Sequence, residues 1–125
     1  VAAEADLFAP CALGGVLSAD TIPHLKARIV AGAANNQLAR HEDAAHLMRR
    51  GVLYAPYYVI NAGGLINVAA ELAPEGYDRA EVMRHVAYIP ETLTDIFRRA
   101  QAEQRPTNDI AQAMAEERIA RARAA

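Results

Sequence analysis

The stretch Arg28-Ile29-Val30-Ala31-Gly32-Ala33-Ala34-Asn35-Asn36-Gln37 decides the fold. A short apolar run is closed by Gly32 and followed by small and amide side chains. A brief apolar run without alternation is the pattern of a strand buried on both faces of a sheet. The same pattern recurs on either side. Upstream, Leu7-Phe8-Ala9 ends at Pro10, and downstream Val52-Leu53-Tyr54-Ala55 ends at Pro56. Between the strands, Thr21 to Lys26 reads as a short helix that tolerates Pro23 in its opening turn. Gln37 to Arg50 reads as a longer helix, with Gly51 suited to its C-terminal cap. Strand, helix, strand, helix, strand predicts an α/β fold with a parallel sheet. Three strands are too few for a complete doubly wound sheet, and the first begins almost at Val1. The sequence is therefore expected to hold one half of such a sheet.

Beyond the turn Ala73-Pro74-Glu75-Gly76 the pattern becomes helical. Asp78 can cap a helix bearing Val82, Val86, Ile89, Leu93, Ile96 and Phe97, which Pro90 should kink or break. Arg105-Pro106 ends it. Thr107 is expected to cap a last helix with Ile110, Met114 and Ile119 on one face.

Composition excludes several functions. The chain has 125 residues, enough for one small domain. With 53% apolar and 22% charged residues it has the makeup of a folded chain, not a disordered one. Thirteen basic against 15 acidic residues give a net charge of −2. No basic field exists to hold nucleic acid or an anionic membrane. Cys11 is the one cysteine, so there is no internal disulfide, and a reducing, cytoplasmic setting is expected. No apolar run is long enough to span a bilayer. The first residue is Val1 and residues 1–20 show no basic signal region, so a fragment or processed chain without a signal peptide is expected. Lys26 is the one lysine, so chemistry that needs two lysines cannot be completed here.

Three segments carry chemistry, each just after a predicted strand, where open α/β sheets place ligands. They are Ala9-Pro10-Cys11-Ala12-Leu13-Gly14-Gly15, Gly32-Ala33-Ala34-Asn35-Asn36-Gln37, and Tyr58-Val59-Ile60-Asn61-Ala62-Gly63-Gly64-Leu65-Ile66-Asn67-Val68. Small residues let a flat ligand approach the backbone. Asparagine amides offer a donor and an acceptor together. Taken singly, Cys11 reads as a packed thiol, Asn35-Asn36 as a turn and helix cap, and Asn61-Ala62-Gly63-Gly64 as a turn. Taken together they describe a polar slot with small walls. His41-Glu42-Asp43-Ala44-Ala45-His46 lacks the i, i+4 spacing that aligns two histidines on a metal, and reads as a solvated helix face. Arg118, Arg121 and Arg123 suit the negative end of a helix dipole.

These segments resemble the closing part of the nucleotide-binding domain in the glutamate/leucine/phenylalanine/valine dehydrogenase family, the leucine branch above all. The resemblance runs from Leu7 to Ile119, and the string Val59 to Val68 is its most specific block. It implies the second half of a Rossmann-like parallel sheet with flanking helices. Residues 1–72 would form a partial NAD-binding unit and residues 73–125 a C-terminal helical segment of the same domain. It implies an enzyme that oxidatively deaminates an L-amino acid to a 2-oxo acid and ammonia, with NAD taking the hydride. Ala9, Cys11 and Ala12 would line the nicotinamide-ribose side of the cofactor. Asn35 and Asn36 would lie beside the nicotinamide and the amino acid, and Asn61 at the cleft floor. Gly63 and Gly64 would let the chain turn tightly into the next helix.

Leu65 and Val68 lie three apart at a helix start and share a face. In the family this face meets the substrate side chain. A carboxylate facing Val68 would lose water without gaining a partner, so an aliphatic substrate such as leucine, valine or isoleucine is favoured over glutamate. Phenylalanine stays open, because half the pocket lies outside this sequence. The family's catalytic lysines, its Gly-rich pyrophosphate turn and its acidic ribose contact all precede this stretch, and no G-x-G-x-x-G occurs here. No catalytic residue is therefore expected within the chain, which should be inert alone and homo-oligomeric as a full-length protein. The family commonly has Asp where this sequence has Tyr57, and Pro90 interrupts a helix that is usually smooth. The alternative reading is a non-catalytic module that uses half a nucleotide fold to hold a nucleotide or a partner, with an open sheet edge available for pairing.

Overall fold

Three two-residue strands lie side by side, all parallel: β1 (Leu7–Phe8), β2 (Ile29–Val30) and β3 (Leu53–Tyr54), in the order β1-β2-β3. They are seen in a computed structural model that describes residues 1–124. Each strand falls within its predicted run, and the α/β architecture is as expected. Five helices follow or intervene: α1 (Asp43–Arg49), α2 (Tyr57–Ile60), α3 (Gly63–Glu71), α4 (Arg79–Glu103) and α5 (Thr107–Ala124).

The register pairs Phe8 with Val30 and Val30 with Tyr54 on one face, and Leu7 with Ile29 and Ile29 with Leu53 on the other. The first face packs on Leu17, Ile22, Leu25 and Leu47 to form the sheet core. The second is half open: Leu7, Ile29 and Leu53 are 47%, 38% and 40% exposed. The strands are thus covered on one face, not on both. Their apolar character is that of a two-sided parallel strand, but among the described residues Leu17, Ile22, Leu25 and Leu47 cover one side, and the other stays half open.

The helices differ from expectation where side chains take other partners. Thr21 to Lys26 contains only a tight 3-10 turn, Ile22–His24, with Ile22 and Leu25 driven into the core. The predicted helix from Gln37 starts six residues late, at Asp43. Residues 37–39 stay extended because Leu17 donates its N–H to the Gln37 carbonyl (3.0 Å) and accepts from the Ala39 N–H (2.8 Å). Gly51 does end α1, at φ +69°, with its N–H on the Met48 carbonyl at 2.9 Å.

Asp78 caps α4 through its carboxylate, which accepts from the Ala80 and Glu81 N–H groups at 2.8 and 3.3 Å. Pro90 does not break α4, which runs on as one helix to Glu103. A proline removes one helical hydrogen bond, and burial of Val82, Ile96 and Ala100 on either side of it holds the helix together. A second core, of Ile96, Ala100, Ile110 and Ala111, joins α4 to α5 and packs on Val59 and Phe97. Arg99 of α4 reaches both carboxylate oxygens of Glu117 on α5, at 3.0 and 2.7 Å. That guanidinium holds the Glu117 and Glu103 carboxyls below the usual carboxylate range. Thr107 is not the cap of α5 but its first residue, and its hydroxyl donates to the Tyr54 carbonyl at 2.7 Å. This bond satisfies an acceptor on the outer edge of β3, where an unpaired group would invite another strand.

Candidate functional site

The three strand-end segments converge. Ala31 donates to the Phe8 carbonyl at 3.1 Å and Ala34 to the Pro10 carbonyl at 2.9 Å. The first two segments thereby run on beside each other after their strands end. Gly15, at φ +70°, donates to the Asn36 carbonyl at 2.7 Å. The crossing is tight: a Cβ on Gly32 would stand 2.3 Å from the Pro10 carbonyl oxygen and 2.5 Å from its nitrogen. One on Gly14 would stand 2.9 Å from the carbonyl oxygens of Asn35 and Asn36. Gly14 and Gly32 are small because backbone passes backbone here. The need for them was legible in the sequence only as a preference for small residues.

The third segment is tied in by Asn61, at the end of α2. Its Nδ2 donates to the Ala33 carbonyl (3.3 Å) and to Asn35 Oδ1 (2.9 Å). The polarity of this pair follows from elementary chemistry. A carbonyl only accepts, so the atom facing Ala33 is the Asn61 amide nitrogen. That nitrogen only donates, so the atom it meets on Asn35 is the oxygen. Asn35 therefore keeps its NH2, and Asn61 its oxygen, for a ligand. Asn36 sits at φ +51°, and its Oδ1 accepts from the Tyr57 hydroxyl at 2.9 Å. Asn35 and Asn61 are thus brought together, whereas the Asn36 side chain meets Tyr57 and lines a separate cleft.

Ala9, Cys11 and Ala12 follow β1 and are all exposed. Cys11 is not the packed thiol that a lone apolar-run cysteine suggests. Leu65 and Val68 do share a face of α3, and both are solvent-facing, at 74% and 53% exposed. Gly63 and Gly64 have ordinary helical backbones and lie in the first turn of α3. No tight turn requires them, and a Cβ on Gly64 would meet nothing within 4 Å.

Sequence reasoning missed a group that lies behind this slot. Tyr58 donates to the Asn108 carbonyl at 3.0 Å, and His41 Nε2 lies 2.8 Å from Asp109. The first ties the start of α5 to α2, and the second ties it to the chain just before α1. Beside them lies a cleft of about 460 Å³ lined by Tyr54, Tyr57, Asn36, Arg40 and Asn108 among others. The Tyr54 hydroxyl is buried without a hydrogen-bond partner among the described residues. That burial pushes its phenol up from 10.0 to about 12. The neutral form is favoured in the fold, so this contribution to stability is complete below pH 10 and is lost as pH rises toward 12. Tyr54→Phe is expected to shift stability at neutral pH by less than about 1 kcal/mol, since an orphan hydroxyl is lost. It should also flatten the fall in melting temperature between pH 10 and 12.

Comparison with known proteins gives the geometry its setting. The family model described as Glutamate/Leucine/Phenylalanine/Valine dehydrogenase matches residues 1–125. Leucine dehydrogenase of Geobacillus stearothermophilus is 51% identical over 118 residues, which are 93% of this chain and 31% of that protein. L-tryptophan dehydrogenase of Nostoc punctiforme is 50% identical over 117 residues, 93% of this chain and 33% of that one. The crystal structure of that tryptophan dehydrogenase superposes with a TM-score of 0.92 at 47% identity, over 99% of this chain and 37% of its own. A hetero-hexameric glutamate dehydrogenase from Thermus thermophilus superposes with a TM-score of 0.72 at 25% identity, over 94% of this chain and 29% of its own. The chain spans about a third of the length of the relatives it matches.

Proposed function

The chain belongs to the glutamate/leucine/phenylalanine/valine dehydrogenase family, and from that premise we propose that it is the slot-bearing part of an NAD-dependent L-amino-acid dehydrogenase with a branched-chain preference. One observation carries the reading. Two asparagine amides, those of Asn35 and Asn61, meet where the strands end, beside a backbone crossing that only glycine permits.

The residues fit the nicotinamide end of a dinucleotide. Ala9, Cys11 and Ala12 offer small exposed side chains along one wall. Asn35 offers an NH2 and Asn61 a carbonyl oxygen, the pair of groups that a carboxamide needs. The dinucleotide, when bound, supplies the hydride acceptor for oxidation at the amino-acid carbon. What these residues do is bind and orient. The amides fix polar groups of cofactor and amino acid, and the apolar walls keep water from the reacting carbon.

Leu65 and Val68 would receive the substrate side chain. Both are apolar and both stand uncovered, so a hydrocarbon chain placed on them loses only unfavourable hydration, whereas a carboxylate would lose water without gaining a partner. That favours leucine, valine or isoleucine over glutamate. The proton-transfer groups lie outside this chain. Its one lysine, Lys26, is ion-paired with Glu4. The chain alone is therefore expected to be inactive. The family reading further suggests a cytoplasmic homo-oligomer that handles a small amino acid or 2-oxo acid, with residues 1–72 as part of the dinucleotide-binding unit and 73–125 as its helical closure.

Reductive amination by the whole protein tests this, with NADH and ammonia, comparing 4-methyl-2-oxopentanoate with 2-oxoglutarate. Turnover of the branched acid at least about 100-fold above 2-oxoglutarate is expected, the size of penalty an unpaired carboxylate imposes. Preference for 2-oxoglutarate would overturn the pocket assignment. Absence of turnover with any 2-oxo acid would overturn the enzyme.

A further inference from the structure

We propose that Gln37 is a positioning residue, whose buried side-chain amide closes residues 32–37 onto themselves and so holds Asn35 in the pose that offers its NH2 to a bound dinucleotide. The inference rests on the dehydrogenase reading above and adds to it a residue that solvent does not reach.

Gln37 is fully buried, and its Nε2 donates to the Gly32 carbonyl at 2.6 Å. A carbonyl only accepts, so the atom that meets it is the amide nitrogen, and the bond has one polarity. It joins the two ends of the segment that carries Asn35. Bonds to other segments act beside it. Ala34 donates to the Pro10 carbonyl at 2.9 Å, and the Gln37 carbonyl accepts from Leu17 at 3.0 Å. Asn61 Nδ2 reaches the Ala33 carbonyl and Asn35 Oδ1. Those bonds fix where the segment lies, whereas the Gln37 amide fixes its span.

Packing gives no reason for an amide at this place. Gln37 Oε1 is buried with no hydrogen-bond partner among the described residues, which costs stability. Methionine has nearly the same length, adapts to such a space and carries no orphan acceptor. What it lacks is the donor for Gly32. Loss of that donor frees the loop to leave the pose in which Asn61 holds the Asn35 oxygen. Ligand affinity then falls with the fraction of molecules that keep the pose.

The test uses the whole protein with Gln37→Met, Gln37→Glu, Asn35→Ala and the double variant of Gln37→Met with Asn35→Ala. Gln37→Met should raise the NADH dissociation constant about three- to tenfold, the worth of one hydrogen bond, with a melting temperature within about 3 °C of the parent's. In the Asn35→Ala background the same substitution should change affinity less than about twofold, because Gln37 acts through Asn35. Gln37→Glu supplies a rescue that pH controls. Its protonated carboxyl donates to Gly32, and its carboxylate cannot. Burial raises a carboxyl's pKa, so affinity should be close to the parent's at about pH 6 and fall relative to it as pH rises toward about 9. Gln37→Met should show no such slope. Should Gln37→Met not fold, the slope of Gln37→Glu decides. Exchange of the Ala34 N–H reads the loop without a ligand, and should quicken about three- to tenfold in Gln37→Met. An equal affinity loss with and without Asn35, or a Gln37→Glu profile parallel to the parent's, overturns the proposal. So does an unchanged Ala34 exchange rate. Quickened exchange, in a protein whose parent binds no NADH, would keep the hold of Gln37 on the loop and remove the dehydrogenase reading.

Discussion

Gly32→Ala is expected to destabilise the whole protein by about 3 kcal/mol, at the upper end of what overpacking usually costs. The added Cβ would sit 2.3 Å from the Pro10 carbonyl oxygen and 2.5 Å from its nitrogen. Both are backbone atoms, so no side chain can swing aside. Relief requires the two strand-end segments to separate, and that breaks the Ala34-to-Pro10 hydrogen bond of 2.9 Å. Dinucleotide affinity should fall with stability, because Asn35 and Asn36 ride on the displaced segment. Gly64→Ala is the control. Nothing lies within 4 Å of its Cβ, and alanine favours a helix. Its stability should match or exceed the parent's. Thermal melts and NADH titration of both variants check this, and a Gly32→Ala protein as stable as the parent would mean that the segments do not cross as described.

Leu65→Asp should do the reverse, sparing stability and abolishing function. Leu65 is 74% exposed, and surface changes of this kind usually move stability by no more than about 0.5 kcal/mol. In the proposed pocket the new carboxylate would face a substrate hydrocarbon chain and lose its water. The expected loss in kcat/KM for 4-methyl-2-oxopentanoate is about 100-fold or more. Val68→Thr keeps the side-chain shape and adds a hydroxyl, for an expected loss of about tenfold. Unchanged kinetics for both variants, with unchanged melting temperatures, would place the substrate side chain elsewhere.

The contrast between these variants separates two kinds of residue that a sequence pattern merges. Glycines 14, 32, 63 and 64 read alike, as small residues near strand ends. Contacts distant in sequence divide them. Gly14 and Gly32 meet backbone, whereas Gly64 meets nothing. Cys11 was ambiguous for the same reason, since an apolar run does not reveal whether a partner covers it. It is exposed. Thr107 has the ordinary look of a helix cap, yet its hydroxyl is taken by Tyr54, 53 positions away in the chain.

The order of the three strands, the parallel sheet, the Gly51 and Asp78 caps and the two long closing helices were readable from residue order. Each rests on a local preference, of turn residues, capping side chains or short apolar runs, that acts over a few neighbours. The late start of α1, the continuity of α4 through Pro90 and the half-open sheet face of Leu7, Ile29 and Leu53 were not. Nor was the donor polarity of Asn35. These depend on which distant group arrives to cover a side chain or take its hydrogen bond. The folded chain decides that by bringing Asn61 and Tyr57 to asparagines 26 and 21 positions away.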